Sequence, residues 1–134
     1  PSHPLAGATQ LSPEELRDEP LITLARHTIS ASYIANAFAD RGIAPNIVAE
    51  SQPSFAAASM AASGIGIAIV DQLSALAMGD KVAAVPFEPP VPFDICVLKS
   101  RDVPLSRAAE ALFAEIDAGI STALKHAAEL HKVL

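Results

Sequence analysis

Two glycines in the run SFAAASMAASGIGIAIVD, residues 54–71, constrain this chain more than any other feature. The residues before them are small and helix-forming. The residues after them are Ile65, Ile67, Ile69 and Val70, an apolar run without clean alternation. The spacing predicts a helix over about 54–63, with Gly64 as the left-handed residue just past its end. A buried strand follows over about 66–70. An apolar strand that does not alternate is covered on both faces, so this one is read as a central strand of a parallel sheet. Asp71 stops the run. Polar groups at the carboxyl ends of such strands line ligand crevices, which directs attention to Asp71 and Gln72.

A chain of 134 residues has room for one ordinary domain. With 51% hydrophobic and 18% charged residues it can bury a genuine core and is not disordered. Five phenylalanines, one tyrosine and no tryptophan leave that core to Ala, Leu, Ile and Val. A net charge of −6 argues against phosphate-backbone binding by this chain itself. The single cysteine, Cys96, excludes an internal disulfide and fits a reducing, cytoplasmic compartment. No apolar run reaches the ~20 residues needed to span a bilayer, and no signal peptide is visible, so no membrane association is expected. The chain starts Pro-Ser-His without Met, the expectation for a piece of a longer protein.

Along the chain, residues 1–11 read as an extended lead-in. Ser12-Pro13-Glu14-Glu15 is a helix-start signal: Ser12 as cap, Pro13 at the first helical position, Glu15 closing a capping box. Pro20 ends that helix. Residues 21–24 form a strand. A helix follows over about 29–41, closed by Gly42, with Ile34 and Phe38 on one face beside Ala31 and Ala35. Residues 46–49 are a strand ending at Glu50-Ser51-Gln52-Pro53. After the organising helix and strand come a short helix over 71–77, a turn at Gly79-Asp80-Lys81, and strands over 82–87 and 91–98. Phe93, Ile95 and Val97 are inward candidates of the last strand. Pro104 opens a long helix with a stripe of Leu105, Ala109, Leu112, Ile116, Ile120 and Leu124, broadened by Phe113 and frayed from about His126. Strands alternating with helices make this an α/β chain with a parallel or mixed sheet.

Several catalytic and ligand motifs fail on inspection. A dinucleotide fingerprint needs glycine where Ile69 stands, and must follow a strand rather than precede one. His126 and His131 are five apart and do not share a helix face for a metal. Ser59 lacks the nucleophile-elbow context. Cys96 lies inside an expected strand, where it behaves as a small buried hydrophobe. No catalytic constellation is present, so the chain is read as not an enzyme, without a cofactor and without a metal.

The segments HPLA (residues 3–6), LSPEEL (11–16), EPLITL (19–24), AASGIGIAIV (61–70), VPFDICVLKSR (91–101) and LSRAAEALFAEI (105–116), in this order and spacing, resemble the C-terminal effector-binding half of LysR-type transcriptional regulators. The resemblance covers about residues 2–120. Glu50-Ser51-Gln52, Val70-Asp71 and Val91-Pro92-Phe93 resemble regulators of lysine synthesis and of opine or arginine catabolism. It implies a periplasmic-binding-protein-like (type II) fold of two α/β subdomains joined by two crossing strands, with a small effector in the cleft between them. DNA is bound only through an N-terminal winged helix-turn-helix, absent here, and the regulators form homo-oligomers. On that pattern, residues 4–90 are the second regulatory subdomain. Residues 91–134 are one crossing strand and the C-terminal helix that returns to the first subdomain.

Three strand-end loops are then candidate effector-binding sites. Arg26, Thr28 and Ser30, beside His27, precede a helix whose free N–H groups favour an anion, so they would hold an effector carboxylate; the alternative is that Thr28 or Ser30 caps the helix. Glu50 would pair with an amino or guanidino group while Ser51 and Gln52 hydrogen-bond the ligand; the alternative is a capped turn with Pro53 at the first helical position. Asp71 either binds a cationic group or caps the helix after it. Donors, one cation and two carboxylates suit an amino-acid-like effector. The rival class is a solute-binding protein or an enzyme on the same fold.

Overall fold

Pro20–Leu24, with the sequence PLITL, forms strand β1 at the middle of a three-stranded sheet. The computed structural model describes residues 2–130, with side chains described through residue 125. Helix α1 (Ile29–Ala39) connects β1 to strand β2 (Asn46–Ser51), and helix α2 (Ser54–Ala62) connects β2 to strand β3 (Ile67–Ala68). The order is β2-β1-β3, and both pairings are parallel. Helix α3 (Gln72–Leu76), a 3-10 turn at Gly79–Lys81 and helix α4 (Arg107–Leu130) follow. The chain divides into two units, residues 1–93 and the remainder from Asp94.

In the first unit, β1 is covered on both faces, and its alternate residues serve two clusters. Leu21 packs with Leu16, Ile34, Phe38 and Ile43. Ile22 and Leu24 pack with Ala31 and Ala57. The central strand is therefore β1 rather than the expected run at 66–70. That run pairs only at Ile67 and Ala68, both half-buried, on one side of β1. Small residues on α2 let that helix lie close to the sheet, and Ala57 and Ala58 are buried.

The helix ends follow their glycines. Gly42 (φ +65) and Gly64 (φ +79) stand in the left-handed region. Behind each, two N–H groups return to the helix carbonyls: Gly42 to Ala39 and Ile43 to Phe38, then Gly64 to Ala61 and Ile65 to Met60. This is the glycine-closed C-terminus that the spacing predicts. The Gly66 backbone does something the spacing does not announce. A Cβ there would sit 2.3 Å from the Pro20 carbonyl oxygen, so β1 and β3 approach as only glycine permits.

Other expectations are corrected. Residues 12–18 form successive turns rather than a helix. Half of the capping box forms, with Glu15 accepting from the Ser12 N–H at 2.6 Å, while the Ser12 hydroxyl donates to the same carboxylate instead of accepting from the Glu15 N–H; β1 begins at Pro20 and leaves no room for more. Pro13 and Leu16 anchor this turn in the core. On α1 the buried alanines are Ala31 and Ala37; Ala35 is exposed. Strand β2 runs to Ser51, past the expected end at Ala49.

Residues 82–87 form no strand. They are tied by a single parallel bridge, in which the Leu11 N–H donates to Pro86 O and the Glu88 N–H to Leu11 O, both at 2.8 Å. Phe87 stacks on Phe38 with ring centroids 6.3 Å apart.

Residues 91–98 also form no strand. Phe93, Ile95 and Val97 are exposed, and so is Cys96, which the sequence places in a buried strand. An extended apolar segment becomes a strand only when another strand offers its ladder, and none among the described residues does so here.

In the second unit, α4 starts at Arg107 rather than Pro104. Ser106 is the cap: its hydroxyl accepts from the Ala109 N–H at 3.2 Å, which leaves Leu105 outside the helix. Leu112, Ile116 and Leu124 of its stripe are exposed, while Ala109, Phe113 and Ile120 are half-buried. The helix continues to Leu130, past the fraying expected at His126. The side chain of His126 and all of His131 lie outside the described residues.

Candidate functional site

Parallel strands end on the same edge of a sheet, so the loops after β1, β2 and β3 share one edge. The β1 loop lies between the other two. The chain leaves β1 through α1 and β3 through α3, and the carboxyl ends of such strands are where open α/β sheets place ligands. The β1 loop carries Arg26, His27, Thr28 and Ser30; the β3 loop carries Asp71 and Gln72; Glu50, Ser51 and Gln52 flank the β1 loop on its other side.

Five of these side chains, Arg26, Thr28, Glu50, Ser51 and Asp71, have a definite local partner. Thr28 has extended backbone and its hydroxyl accepts from the Ala31 N–H at 3.2 Å, so it is the N-cap of α1. Ser30 sits half-buried in the first turn. Asp71 caps α3, accepting from the Ser74 N–H at 2.9 Å and the Ser74 hydroxyl at 2.8 Å. The sequence leaves both roles open for Thr28, Ser30 and Asp71; Thr28 and Asp71 are occupied as caps, and Ser30 is not the cap of α1.

The β1 and β2 loops are stitched together. Ala25 N–H donates to Ser51 O at 3.0 Å, extending the ladder one step. Arg26 N–H donates to Glu50 Oε1 at 3.4 Å, and Arg26 Nε lies 3.6 Å from Glu50 Oε2. Sequence reasoning assigned these two charges to a ligand and missed that they pair with each other. The register explains it, because Thr23 faces Glu50 and Leu24 faces Ser51. Ser51 turns its hydroxyl to Pro53 O at 3.1 Å. Pro53 stands one position before α2, which begins at Ser54, so it is a cap position without a capping side chain rather than the first helical residue. Gln52 is exposed.

Two hollows lie away from these loops. An apolar gap of about 50 Å³ is lined by Leu21, Ile34, Phe38, Pro45, Ile47 and Ile69 between α1 and the sheet. It holds no charged group and is too small for an amino acid. An open hollow of about 400 Å³ is formed by residues 99–105, one continuous stretch rather than converging elements. Among the described residues no cluster of His, Cys, Asp and Glu could hold a metal ion, and no helix is long and apolar enough to cross a membrane.

Comparison with known proteins agrees with this architecture. The family model described as the LysR substrate binding domain matches residues 1–120. The transcriptional activator protein LysR of Escherichia coli K12 is 26% identical over 121 residues, covering 90% of this chain and 39% of its own length. The HTH-type transcriptional regulator TtuA of Agrobacterium vitis is 37% identical over 76 residues, covering 55% of this chain and 25% of its own. This chain thus spans well under half the length of either relative. Among solved structures, the PA01 protein of Pseudomonas aeruginosa, assigned to the LysR family, superposes with a TM-score of 0.53 at 29% identity. That match covers 66% of this chain and 32% of the other. A match over residues 1–120, together with a small parallel α/β sheet, establishes that the chain belongs to the LysR substrate-binding domain family.

Proposed function

We propose that this chain forms one wall of the effector cleft of a LysR-type transcriptional regulator. Residues 4–90 are its second regulatory subdomain, and residues 91–134 lead back to the first. Such a wall senses without covalent chemistry. A small molecule bridging two subdomains binds one relative arrangement better than others, shifts the population towards it, and so biases a DNA-binding domain elsewhere in the protein. A second regulator subunit and DNA are partners of the whole protein, and DNA requires no site on this acidic chain.

The observation that carries the reading is the common edge of the three polar loops in a chain of this family. The loops supply hydroxyls, a helix N-terminus, one guanidinium and two carboxylates. That inventory suits an amino-acid-like effector, such as a basic amino acid or an opine. Its carboxylate would lie at Thr28 and Ser30, where the first N–H groups of α1 favour negative charge. Its cationic end would lie near Asp71 and Glu50.

Calorimetry on the full-length protein tests this. Asp71→Asn keeps a residue that caps helices well but removes the charge, so it should weaken a cationic effector while leaving thermal stability in place. Thr28→Ala should weaken binding by about 1.5–3 kcal/mol if the carboxylate is held there. Unchanged affinity in both variants removes the site while family membership stands. Reading the first roughly 90 residues of the full gene, a single-domain length, tests the regulator class separately: a helix-turn-helix supports it and a signal peptide replaces it with a solute-binding protein.

A further inference from the structure

The Arg26–Glu50 pair lies within the proposed effector site, and its role rests on that site and refines it. A guanidinium and a carboxylate face each other across adjacent strand ends, 3.6 Å apart, with the same carboxylate also accepting the Arg26 N–H. The Arg26 side chain is 86% exposed and Glu50 43%, and no hydrogen bond holds the guanidinium itself among the described residues. Asp71, by contrast, is engaged twice by Ser74. The edge therefore carries one opposite-charge pair that can open at little cost, because exposed pairs are weak.

We infer that Arg26 and Glu50 are the specificity pair for an α-amino-acid head group, which inserts between them and exchanges one ion pair for two. The ligand carboxylate takes the Arg26 guanidinium and the ligand ammonium takes the Glu50 carboxylate. The two ligand charges sit on neighbouring carbons, matching two partners that already stand within ion-pair distance of each other. An anion without an ammonium group displaces Glu50 and leaves its charge unpaired beside the incoming one, a like-charge penalty. A cation without a carboxylate does the same to Arg26. Only a zwitterion satisfies both, so the pair selects for the intact head group and leaves the ligand's side chain to the rest of the cleft. Arg26 stands two residues before Thr28, the N-cap of α1.

Three probes separate the two charges: L-lysine, Nα-acetyl-L-lysine, which lacks the α-ammonium, and L-lysinamide, which lacks the carboxylate. Calorimetry is carried out on the full-length protein, its Glu50→Gln and Arg26→Gln variants, and Thr28→Ala, with thermal melts to show that each variant is folded. In wild type both derivatives bind roughly ten-fold or more weakly than lysine, the loss of one charge-assisted hydrogen bond. In Glu50→Gln the acetylation penalty disappears and the amidation penalty persists; in Arg26→Gln the pattern reverses. If both variants keep both penalties while Thr28→Ala weakens lysine, the inference is overturned and the effector site stands. If none of the three probes binds wild type, the inference and the amino-acid reading fall together.

Discussion

Ser12 shows how much local chemistry a single side chain organises. Its hydroxyl and its backbone N–H both donate to Glu15 and hold that carboxyl below the ordinary carboxylate range. A carboxyl whose pKa is lowered by folding stabilises the fold at pH values above its unfolded pKa. That contribution is lost as pH falls through the lowered, folded value. Ser12→Ala should therefore melt at a lower temperature than wild type near neutral pH, and the gap should close on acidification below the usual carboxylate range. Melting curves at a series of pH values check it, and a gap that stays constant down to strong acid would refute the linkage. The Ser12–Glu15 contact is legible in the sequence, because its spacing is a local rule, although the helix it announces does not form. The Arg26–Glu50 pair is not legible. Those residues are far apart in the chain, and only the β1–β2 register brings them together.

Elements were read well where a local signal sets their ends and poorly where a partner must be supplied. Helices α1 and α2 stop at Gly42 and Gly64, as their backbone signals require. Residues 91–98 have the composition of a strand and are not one, because a strand is defined by its neighbour. The centre of the sheet was misplaced for a related reason. The GIGIAIV run is longer and more apolar than PLITL, but it pairs with β1 alone, at Ile67 and Ala68, and approaches it through Gly66 against the Pro20 backbone. Gly66→Ala should thus cost about 1–3 kcal/mol, since a methyl group would press on backbone rather than on a movable side chain. Chemical denaturation measures this, and a neutral result would mean that β3 can shift freely. Burial also ranks the helices. Phe38 on α1 is 1% exposed and Leu112 on α4 is 59% exposed. Phe38→Ala should cost about 3–5 kcal/mol, whereas Leu112→Ala should stay within about 0.5 kcal/mol in dilute solution. A large loss at Leu112 would show that the stripe on α4 is docked.

At the scale of the whole molecule, the first unit exposes Ile29 and Tyr33 on α1, and Ile47 and Val48 on β2, the outer strand of the sheet. An open strand edge and exposed apolar side chains both favour self-association. Light scattering at tens of micromolar, the concentration scale on which such surfaces matter, should report a dimer or larger; a clean monomer would refute this. The parallel order β2-β1-β3 has a last consequence, in the time domain. Leu21 meets Ile47 on one side and Ile67 on the other, and Leu11 meets Phe87. No strand pair here can zip up from a tight turn, because each must wait for a whole helical crossover to be in place. Closing such long loops before any ladder contact rewards them makes folding slow for a chain of this size. While it waits, PLITL is an apolar segment with both edges open. The same strand that organises the finished sheet is thus the segment most in need of protection as the chain emerges.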